Sequence, residues 1–463
     1  MSAVLGMGAY ALILGGALGV VLLLARRAAV LLPVVVGAAA RLAVILVIHA
    51  ISLSRGEGGF LYLDDRGYAI VGERLSDSWS SVGWVNPATT DFAGSYAVGY
   101  PMVVGFVFLL VGPNVLAAKL LNVVFGACSV LFAARIADAI GLGHRRRLVA
   151  WMVSLWPTLL WWTGAMMKEE LAAALLLGAV LAALRLHRRF AVVGLGLCLT
   201  GLVEVRIPGF MAGSLTAIGA VLLLVFRRER VAWAAGARAA AGIALAAGVF
   251  LFGFTANSPG AGIRAYQEIA TTSTSAPGPG GVRTDGDERP LPIRIVEDIA
   301  TTYVAPYPWA FDEDTDNWNR GMYPGMWLWY ALLPTVIAGL VVLRRNSRAM
   351  AALLIPVATF AIAGPLLGGV QFRQRSSVEA LLLIAAVAGA SNWRLVGLRG
   401  AVALTLVAVG AGIHTSSLPV VILILLGAAA LAVLAVYVGR RWPRTGLPSI
   451  QAPVQIQAPK AMM

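Results

Sequence analysis

The sequence predicts an all-α polytopic membrane protein with about 13 transmembrane helices. Of its 463 residues, 59% are hydrophobic and only 13% are charged, which is too little polar surface to enclose a soluble core. Apolar stretches of about 17 to 25 residues recur along nearly the whole chain, the length that a membrane-crossing helix needs. The stretches are continuous and do not alternate as barrel strands do, so we expect them to be helices that satisfy their own backbone in lipid.

The apolar runs give the predicted order of the chain. We place spans at residues 8–25, 30–53, 114–135, 148–164, 169–186, 190–205, 209–226, 232–254, 327–343, 349–370, 376–393, 399–413 and 418–438. These define six regions: two first helices (1–53), a first extracytoplasmic loop with an acidic motif and short interfacial helices (54–113), a transmembrane core (114–254), a long extracytoplasmic loop (255–326), C-terminal transmembrane helices (327–438) and a cytoplasmic tail expected to be disordered (439–463).

Charge sets the predicted orientation. Short arginine-rich clusters near residues 26, 145, 185, 227, 344, 394 and 440 all fall on one side of this threading, which the positive-inside rule makes cytoplasmic. Of the 22 acidic residues, all but Asp138 and Glu229 fall on the other side. This parity requires that the short apolar segment 100–111 does not cross but lies in the outer leaflet. We therefore expect a multi-pass plasma membrane protein with a cytoplasmic C-terminus, whose net charge of +14 reflects topology and not nucleic-acid binding.

Other signals exclude classes of function. The two cysteines, Cys128 and Cys198, fall inside apolar runs, so neither a disulfide nor a zinc framework is expected. No Walker loop, zinc-protease motif, nucleophile elbow or dinucleotide fingerprint occurs, and coupling to a nucleotide is not expected. No repeat relates two halves of the chain, which disfavours an inverted-repeat transporter.

Ionisable residues gather at the predicted outer ends of several helices. Such a group supplies what transfer from a phosphate-linked donor needs, a base for the incoming hydroxyl and positive charge for the departing phosphate. The residues are Asp64, Asp65, Lys119, Lys168, Glu169, Glu170, Glu204, Arg206, Arg373 and Arg375.

Most of these residues also have an ordinary structural interpretation. Asp64 and Asp65 would suit the N-cap of a short amphipathic helix, although two acids are more than one cap requires. The charges around Glu169 would suit the first turn of a helix at the membrane rim. Arg206, Arg373 and Arg375 would suit salt bridges to loop acids or lipid headgroups as well as a lipid phosphate. The sequence alone leaves these alternatives open.

Two further features receive no chemical role. Arg41 lies within the second predicted span, and we expect its side chain to extend to the inner interface. Tryptophans near the predicted helix ends are expected to form an interfacial belt. They are Trp156, Trp161, Trp162, Trp309, Trp318, Trp327 and Trp329.

The motif at residues 64–69, Asp-Asp-Arg-Gly-Tyr-Ala, resembles a signature of the GT-C superfamily of membrane glycosyltransferases. In its family 39-like members, Asp-(Asp/Glu)-x-x-Tyr follows an early transmembrane helix. The segment 99–122 is also similar to the next family segment, with Lys119 in the usual arginine place, and shorter similarities occur at 161–169, 305–309 and 372–375. The chain departs from the family at Ser376, where relatives often carry a proline.

The resemblance implies an inverting glycosyl transfer at the extracytoplasmic face, with a polyprenyl-phosphate-linked sugar as donor. Asp64 would be the catalytic base, while Asp65 would orient the acceptor or bind a metal. Substrate binding would involve Tyr68, Lys119, Lys168, Glu169, Arg206, Arg373 and Arg375. A divalent cation (Mg²⁺ or Mn²⁺) would be optional, because arginines can neutralise a monophosphate leaving group. The expected partners are the lipid bilayer, the donor and an acceptor glycan, lipid or protein.

Two alternatives to such a transferase remain. A flippase or other transporter of lipid-linked glycans would bind related substrates, but it would need polar residues along a path at mid-membrane. A polysaccharide polymerase or ligase uses the same class of donor. A non-enzymatic scaffold would leave the outer acids and cations unexplained.

Overall fold

The computed structural model describes residues 3–83, 99–248, 303, 322–366 and 375–390. Within these ranges every regular element is a helix, and a 3₁₀ turn at Gly143–Arg145 precedes α6. The α-helices are α1 (Ala3–Arg27), α2 (Leu31–Ser54), α3 (Leu63–Val82), α4 (Gly99–Val111), α5 (Val115–Ala139), α6 (Arg146–Leu155), α7 (Pro157–Thr163), α8 (Glu169–Ala183), α9 (Ala191–Val205), α10 (Ile207–Phe226), α11 (Ala232–Gly248), α12 (Tyr323–Leu343), α13 (Ser347–Leu366) and α14 (Ser376–Gly389).

Five helices of the described part are long and apolar enough to cross a membrane. They are Val4–Arg27, Leu31–Ser54, Val115–Ala139, Ile207–Phe226 and Gly325–Leu343. The chain is therefore a multi-helix protein of the membrane type, as its composition predicts, whereas the full set of 13 spans stays a prediction. The predicted spans 399–413 and 418–438, the tail 439–463 and most of the loop 255–326 lie outside the described residues.

One predicted span is not a single helix. The apolar run 148–164 is divided into α6 and α7, because Trp156 has an extended conformation (φ −67°, ψ 119°) and Pro157 begins α7. Proline has no N–H for the hydrogen bond to the fourth preceding carbonyl, and its ring clashes with that turn. The break places a short helix and a connector inside the bundle.

The helix α14 lies at the centre of the bundle. All of its residues from Ser376 to Gly389 are buried, and it packs against α12, α8, α6 and α13. Gly339 of α12 and Gly389 of α14 allow this, since a Cβ on either glycine would collide with the backbone of the other helix. Small residues let membrane helices approach closely, and here they bring the C-terminal part of α14 against α12.

Arginines collect at one end of the bundle. Arg147 donates to the carbonyl of Ala29 in the turn between α1 and α2 (3.1 Å), and Arg227, just after α10, donates to Ser347 at the start of α13 (2.8 Å). These contacts join turns that the sequence-based threading places on the same side of the membrane. Because α10 runs from Arg206 to this end, Arg206 and the charged residues around it lie at the opposite end of the same helices.

Candidate functional site

The acid doublet lies in the first turn of α3. Tyr62 is the N-cap residue and makes no capping bond through its side chain, so the N-cap interpretation of Asp64 and Asp65 is wrong. Both acids are inside the helix instead, where the positive end of its dipole favours negative charge. Asp64 is half-buried, whereas Asp65 is completely enclosed.

The enclosed carboxylate of Asp65 lies among polar backbone groups and a buried lysine. Its Oδ2 accepts a hydrogen bond from the backbone N–H of Leu61 (2.9 Å), while Oδ1 has no partner among the described residues. Burial raises the pKa of Asp65 to about 6, and the nearby charge of Lys119 and the N–H groups of Leu61, Met166 and Tyr62 oppose that rise. The acid is thus held partly ionised at near-neutral pH.

The positive charge near Asp65 belongs to Lys119, which lies near the start of α5. It is fully buried, and its Nζ donates to the carbonyl of Gly59 (2.7 Å). Gly59 has φ +88°, and a Cβ there would collide with the ring of His49, so the turn between α2 and α3 needs glycine at this position. We call Asp64, Asp65 and Lys119 the doublet cluster.

Tyr68, one turn further along α3, does not reach the surface. It is 1% exposed and lies edge-on to Tyr100 of α4, with ring centroids 5.1 Å apart. This packing joins α3 to α4, so the tyrosine that the resemblance assigns to substrate binding lies in the interior, next to the doublet cluster.

The connector between α7 and α8, residues 164–168, faces the doublet cluster. Nδ2 of Asn122 donates to the carbonyls of Thr163 (3.2 Å) and Ala165 (2.8 Å) and thereby fixes the path of the connector. The backbone N–H of Met166 in this connector lies near Asp65 and opposes the rise of its pKa. The last residue of the connector, Lys168, is half-buried at the N-cap position of α8.

A second group of charges begins where α8 does. Oε1 of Glu169 pairs with Nη2 of Arg206 at 2.8 Å, and both side chains are buried. Nη1 of Arg206 also lies 3.3 Å from the hydroxyl of Ser377 in α14. The cation that the sequence places at an outer helix end therefore pairs with a helix carboxylate, which is neither a loop acid nor a lipid headgroup.

Arg375 immediately precedes α14 and makes the second pair of this group. Its Nε lies 3.5 Å from Oε1 of Glu379, its guanidinium stacks over the ring of Trp329 (4.8 Å to the centroid), and the hydroxyl of Thr158 donates to Oε2 of Glu379 (2.6 Å). We call Glu169, Arg206, Arg375 and Glu379 the arginine cluster. Arg373, predicted beside it, lies outside the described residues.

Tyr100 connects the two clusters electrostatically. Burial raises the pKa of Tyr100 well above its ordinary value, and the carboxylates of Asp65 and Glu169 both add to the rise. The doublet cluster and the arginine cluster therefore lie within electrostatic reach of one side chain on α4.

The tryptophans do not all form the predicted belt. Trp156, Trp162 and Trp329 are buried in the bundle, with exposures of 6%, 5% and 0%, whereas Trp327 is 55% exposed. Buried rings fill space next to the broken helix and under Arg375, where a large side chain contributes more packing than it would at an interface. Trp309 and Trp318 lie outside the described residues.

Sequence reasoning missed Arg41. The expected extension to the inner interface is wrong, because the side chain is fully buried near the middle of α2 and its Nε lies 3.6 Å from Oε1 of Glu170. The signal was present in the sequence, since a charged residue inside a span usually has a charged partner in another span. Glu170, which the sequence places at an outer helix end, is that partner.

The arrangement has unused capacity for hydrogen bonds. Over the described ranges, the buried oxygens without a hydrogen-bond donor include Oδ1 of Asp65, Oδ1 of Asn122 and Oε2 of Glu169. Buried polar atoms usually have partners, so these three are suited to hydroxyl groups of a ligand. No group of three or more His, Cys, Asp or Glu side chains in the described part is arranged to hold a metal ion.

No protein-family model matches this chain, and no curated protein matches it. The similarity to GT-C enzymes therefore rests on the short motifs quoted above. What the protein does has to be argued from its site.

Proposed function

We propose that the protein is a membrane glycosyltransferase that moves a hexose or pentose from a polyprenyl-phosphate donor to an acceptor hydroxyl. The observation that carries the proposal is the placement of the doublet cluster and the arginine cluster at one end of the same helices, away from the arginine-rich end. Acids with open oxygens beside buried cations suit a reaction that removes a proton and releases a phosphate.

In the proposed reaction, Asp64 takes the proton from the acceptor hydroxyl. The oxygen forms a bond to the anomeric carbon from the side opposite the phosphate, and the bond between that carbon and the phosphate oxygen breaks, so the configuration inverts. The lipid phosphate leaves with the bonding electrons. Asp65, held by the N–H of Leu61 and near the charge of Lys119, orients the acceptor through its open oxygen.

Positive charge for the leaving phosphate would come from Lys168, Arg206 and Arg375, with Arg373 as a further candidate. Arg375 is already neutralised by Glu379, but Nε and Oε1 are 3.5 Å apart, which is longer than a good charge-assisted hydrogen bond. A phosphate with three oxygens competes for such a guanidinium. We propose that the donor phosphate replaces the Glu379 carboxylate on Arg375.

The setting follows from the sequence-based topology. The site would lie at the extracytoplasmic face of the plasma membrane, where the bilayer delivers the lipid-linked donor sideways into the bundle. A divalent cation is optional in this scheme, since guanidinium and ammonium groups already oppose the phosphate charge.

A flippase for lipid-linked glycans is the second candidate. The structural features that favour it are the break between α6 and α7 and the buried pair of Arg41 and Glu170, because transporters often bind substrate at broken helices. A polymerase or ligase would differ from the first proposal only in the size of the glycan that it transfers.

The test uses the purified protein in liposomes that contain polyprenyl phosphate carrying a radiolabelled hexose or pentose, with membrane extract as the source of acceptors. The proposal predicts that label leaves the lipid fraction and appears on an acceptor. Movement of intact donor between leaflets without loss of the sugar would favour the flippase. A donor that is neither consumed nor moved contradicts both candidates.

A further inference from the structure

The break between α6 and α7 leaves carbonyl groups that need donors. Pro157 has no N–H to offer to the carbonyl of Val153, and the turn at Trp156 separates the carbonyl of Ser154 from α7. In a segment that is surrounded by apolar side chains, such carbonyls must find partners within the protein.

Arg41 supplies these partners from α2. Its Nη1 donates to the carbonyl of Ser154 (3.1 Å), and its Nη2 lies 3.5 Å from the carbonyl of Val153. Gly126 of α5 makes room for the guanidinium, since a Cβ on Gly126 would collide with it. The arginine thus takes the place of the N–H groups that the broken helix lacks.

The same guanidinium also faces the carboxylate that joins the two ends of the connector. Its Nε faces Oε1 of Glu170 at 3.6 Å, and the hydroxyl of Thr163 donates to that oxygen at 2.7 Å. Thr163 is the last residue of α7 and Glu170 is the second residue of α8, so the carboxylate joins the two helices across residues 164–168.

The connector is held on its other side by Asn122, whose amide donates to the carbonyls of Thr163 and Ala165. With both sides held, α7 and the connector pack against the start of α3. The indole N–H of Trp161 donates to the hydroxyl of Tyr62 (3.0 Å), and Met166 shares an apolar cluster with Leu61 and Tyr68. The N–H of Met166 lies near Asp65 and favours its ionised form. A displaced connector would move this N–H away from the enclosed acid and disfavour its ionised form.

We propose that Arg41 and Glu170 are positioning residues that hold the broken helix and the connector in place against the first turn of α3, beside Asp65. The functional meaning of this assignment rests on the proposed glycosyl transfer, whereas its structural content does not. Neither side chain is a catalytic residue, because both act through the connector.

The test follows the protonation of Asp65 directly. Dicyclohexylcarbodiimide enters apolar interiors and reacts with protonated carboxyls, and mass spectrometry of the peptide fragments identifies label on Asp65 separately from Asp64. Among the described residues, the charged and titratable groups that face Asp65 from other helices are Lys119 of α5 and Tyr100 of α4, with His49 of α2 close to Lys119. None of them is changed in the variants below.

The main variant is Arg41→Met with Glu170→Met, which removes both buried charges together and leaves neither unpaired. Loss of the Met166 N–H disfavours the ionised carboxylate, so we expect Asp65 to be half-labelled at a pH about half a unit or more above that of the unchanged protein. The turnover rate should fall while the KM for donor stays within about twofold, because the connector acts on the acid rather than on donor binding.

The matched control is Arg348→Met with Glu229→Met, a half-exposed pair at the arginine-rich end with the same 3.6 Å separation. It should leave the labelling of Asp65 unchanged. Thr163→Val is the milder second variant, which keeps the volume, removes only the hydroxyl and is expected to shift labelling in the same direction by a smaller amount.

Labelling of Asp65 at an unchanged pH in folded Thr163→Val and in the double variant overturns the inference. An equal shift in the control pair also overturns it. Because labelling requires no turnover, a shift confined to the Arg41, Glu170 and Thr163 variants supports the positioning role even if no donor is ever consumed, in which case only the proposed glycosyl transfer fails.

Discussion

The doublet cluster and the arginine cluster hold buried charges in opposite ways. Asp65 faces a lysine and three backbone N–H groups and still has one oxygen without a donor in the described part of the chain. In the arginine cluster, Arg206 and Arg375 each have a glutamate of their own. Both clusters therefore have a carboxylate oxygen that can accept a hydrogen bond, but each arginine of the second cluster must exchange its glutamate before it can hold an anion.

This difference separates two jobs that the sequence assigns to one set of residues. An acid with spare acceptor capacity suits contact with a hydroxyl group that gives up its proton. A cation already neutralised by a carboxylate contributes to the stability of the folded state as well as to binding. Variants of the two clusters should therefore differ in whether activity or stability changes first.

The largest expected effect is on catalysis in the doublet cluster. Asp64→Asn keeps the shape of the side chain and removes the base, so glycosyl transfer should fall by about 10²- to 10⁴-fold. The control is Asp77→Asn, which makes the same change on the exposed side of the same helix and should leave transfer unchanged. Rates are measured with radiolabelled donor. Near-normal transfer by Asp64→Asn removes this residue from the role of base.

The next effect concerns stability in the arginine cluster. Arg375→Met leaves Glu379 buried without its cation, and breaking a buried pair in this way lowers the free energy of unfolding by about 3–5 kcal/mol. Arg348→Met breaks a half-exposed pair of nearly the same separation and should lower it by about 1 kcal/mol or less. Denaturant unfolding in detergent measures both. Equal losses of unfolding free energy in the two variants would mean that burial of the arginine cluster does not make its ion pair more important for stability.

The pH dependence should identify the doublet cluster. Burial raises the pKa of Asp65 to about 6, so the carboxylate takes up a proton as the pH falls through that value. Since the protonated acid no longer attracts Lys119, transfer should decline below about pH 6 and be constant above it. The rate with saturating donor is measured from about pH 5 to about pH 8. A rate that rises as the pH falls to 5 would contradict this role for Asp65.

The smallest effect is expected at Ser377. Its hydroxyl lies 3.3 Å from Nη1 of Arg206, which is a long hydrogen bond, while the pair with Glu169 at 2.8 Å remains. Ser377→Ala should therefore change the free energy of unfolding by about 1 kcal/mol or less. A loss as large as that of Arg375→Met would show that the serine, and not the ion pair, holds Arg206 against α14.

Composition and periodicity were sufficient to predict the helical membrane class and most helix positions, because lipid leaves the backbone few alternatives. Threading by charge also brought Asp65, Lys119, Glu169 and Arg206 to one end of the bundle. It could not tell which acid pairs with which cation, since that depends on how each helix is rotated. Glu169 and Glu170 are neighbours in sequence, yet they pair with Arg206 and Arg41 in different directions.

The break at Pro157 illustrates the same limit. The run 148–164 is apolar enough for one span, and the proline alone did not show where the freed carbonyls would find donors. Only the packed structure brings Arg41 from α2 to Val153 and Ser154, in a space that Gly126 leaves open. An arginine that looked like an interfacial residue is instead part of the interior.

The central claim is that the doublet cluster and the arginine cluster serve one lipid-phosphate donor. The most direct test is photo-crosslinking of the purified protein with a polyprenyl phosphate that carries a photoreactive group beside the phosphate, followed by mapping of the labelled peptides. The account predicts label on the peptide that contains Asp64 and on the peptide that contains Arg375, both reduced by excess unlabelled donor. Label confined to the arginine-rich end near Arg147 and Arg227 would contradict it.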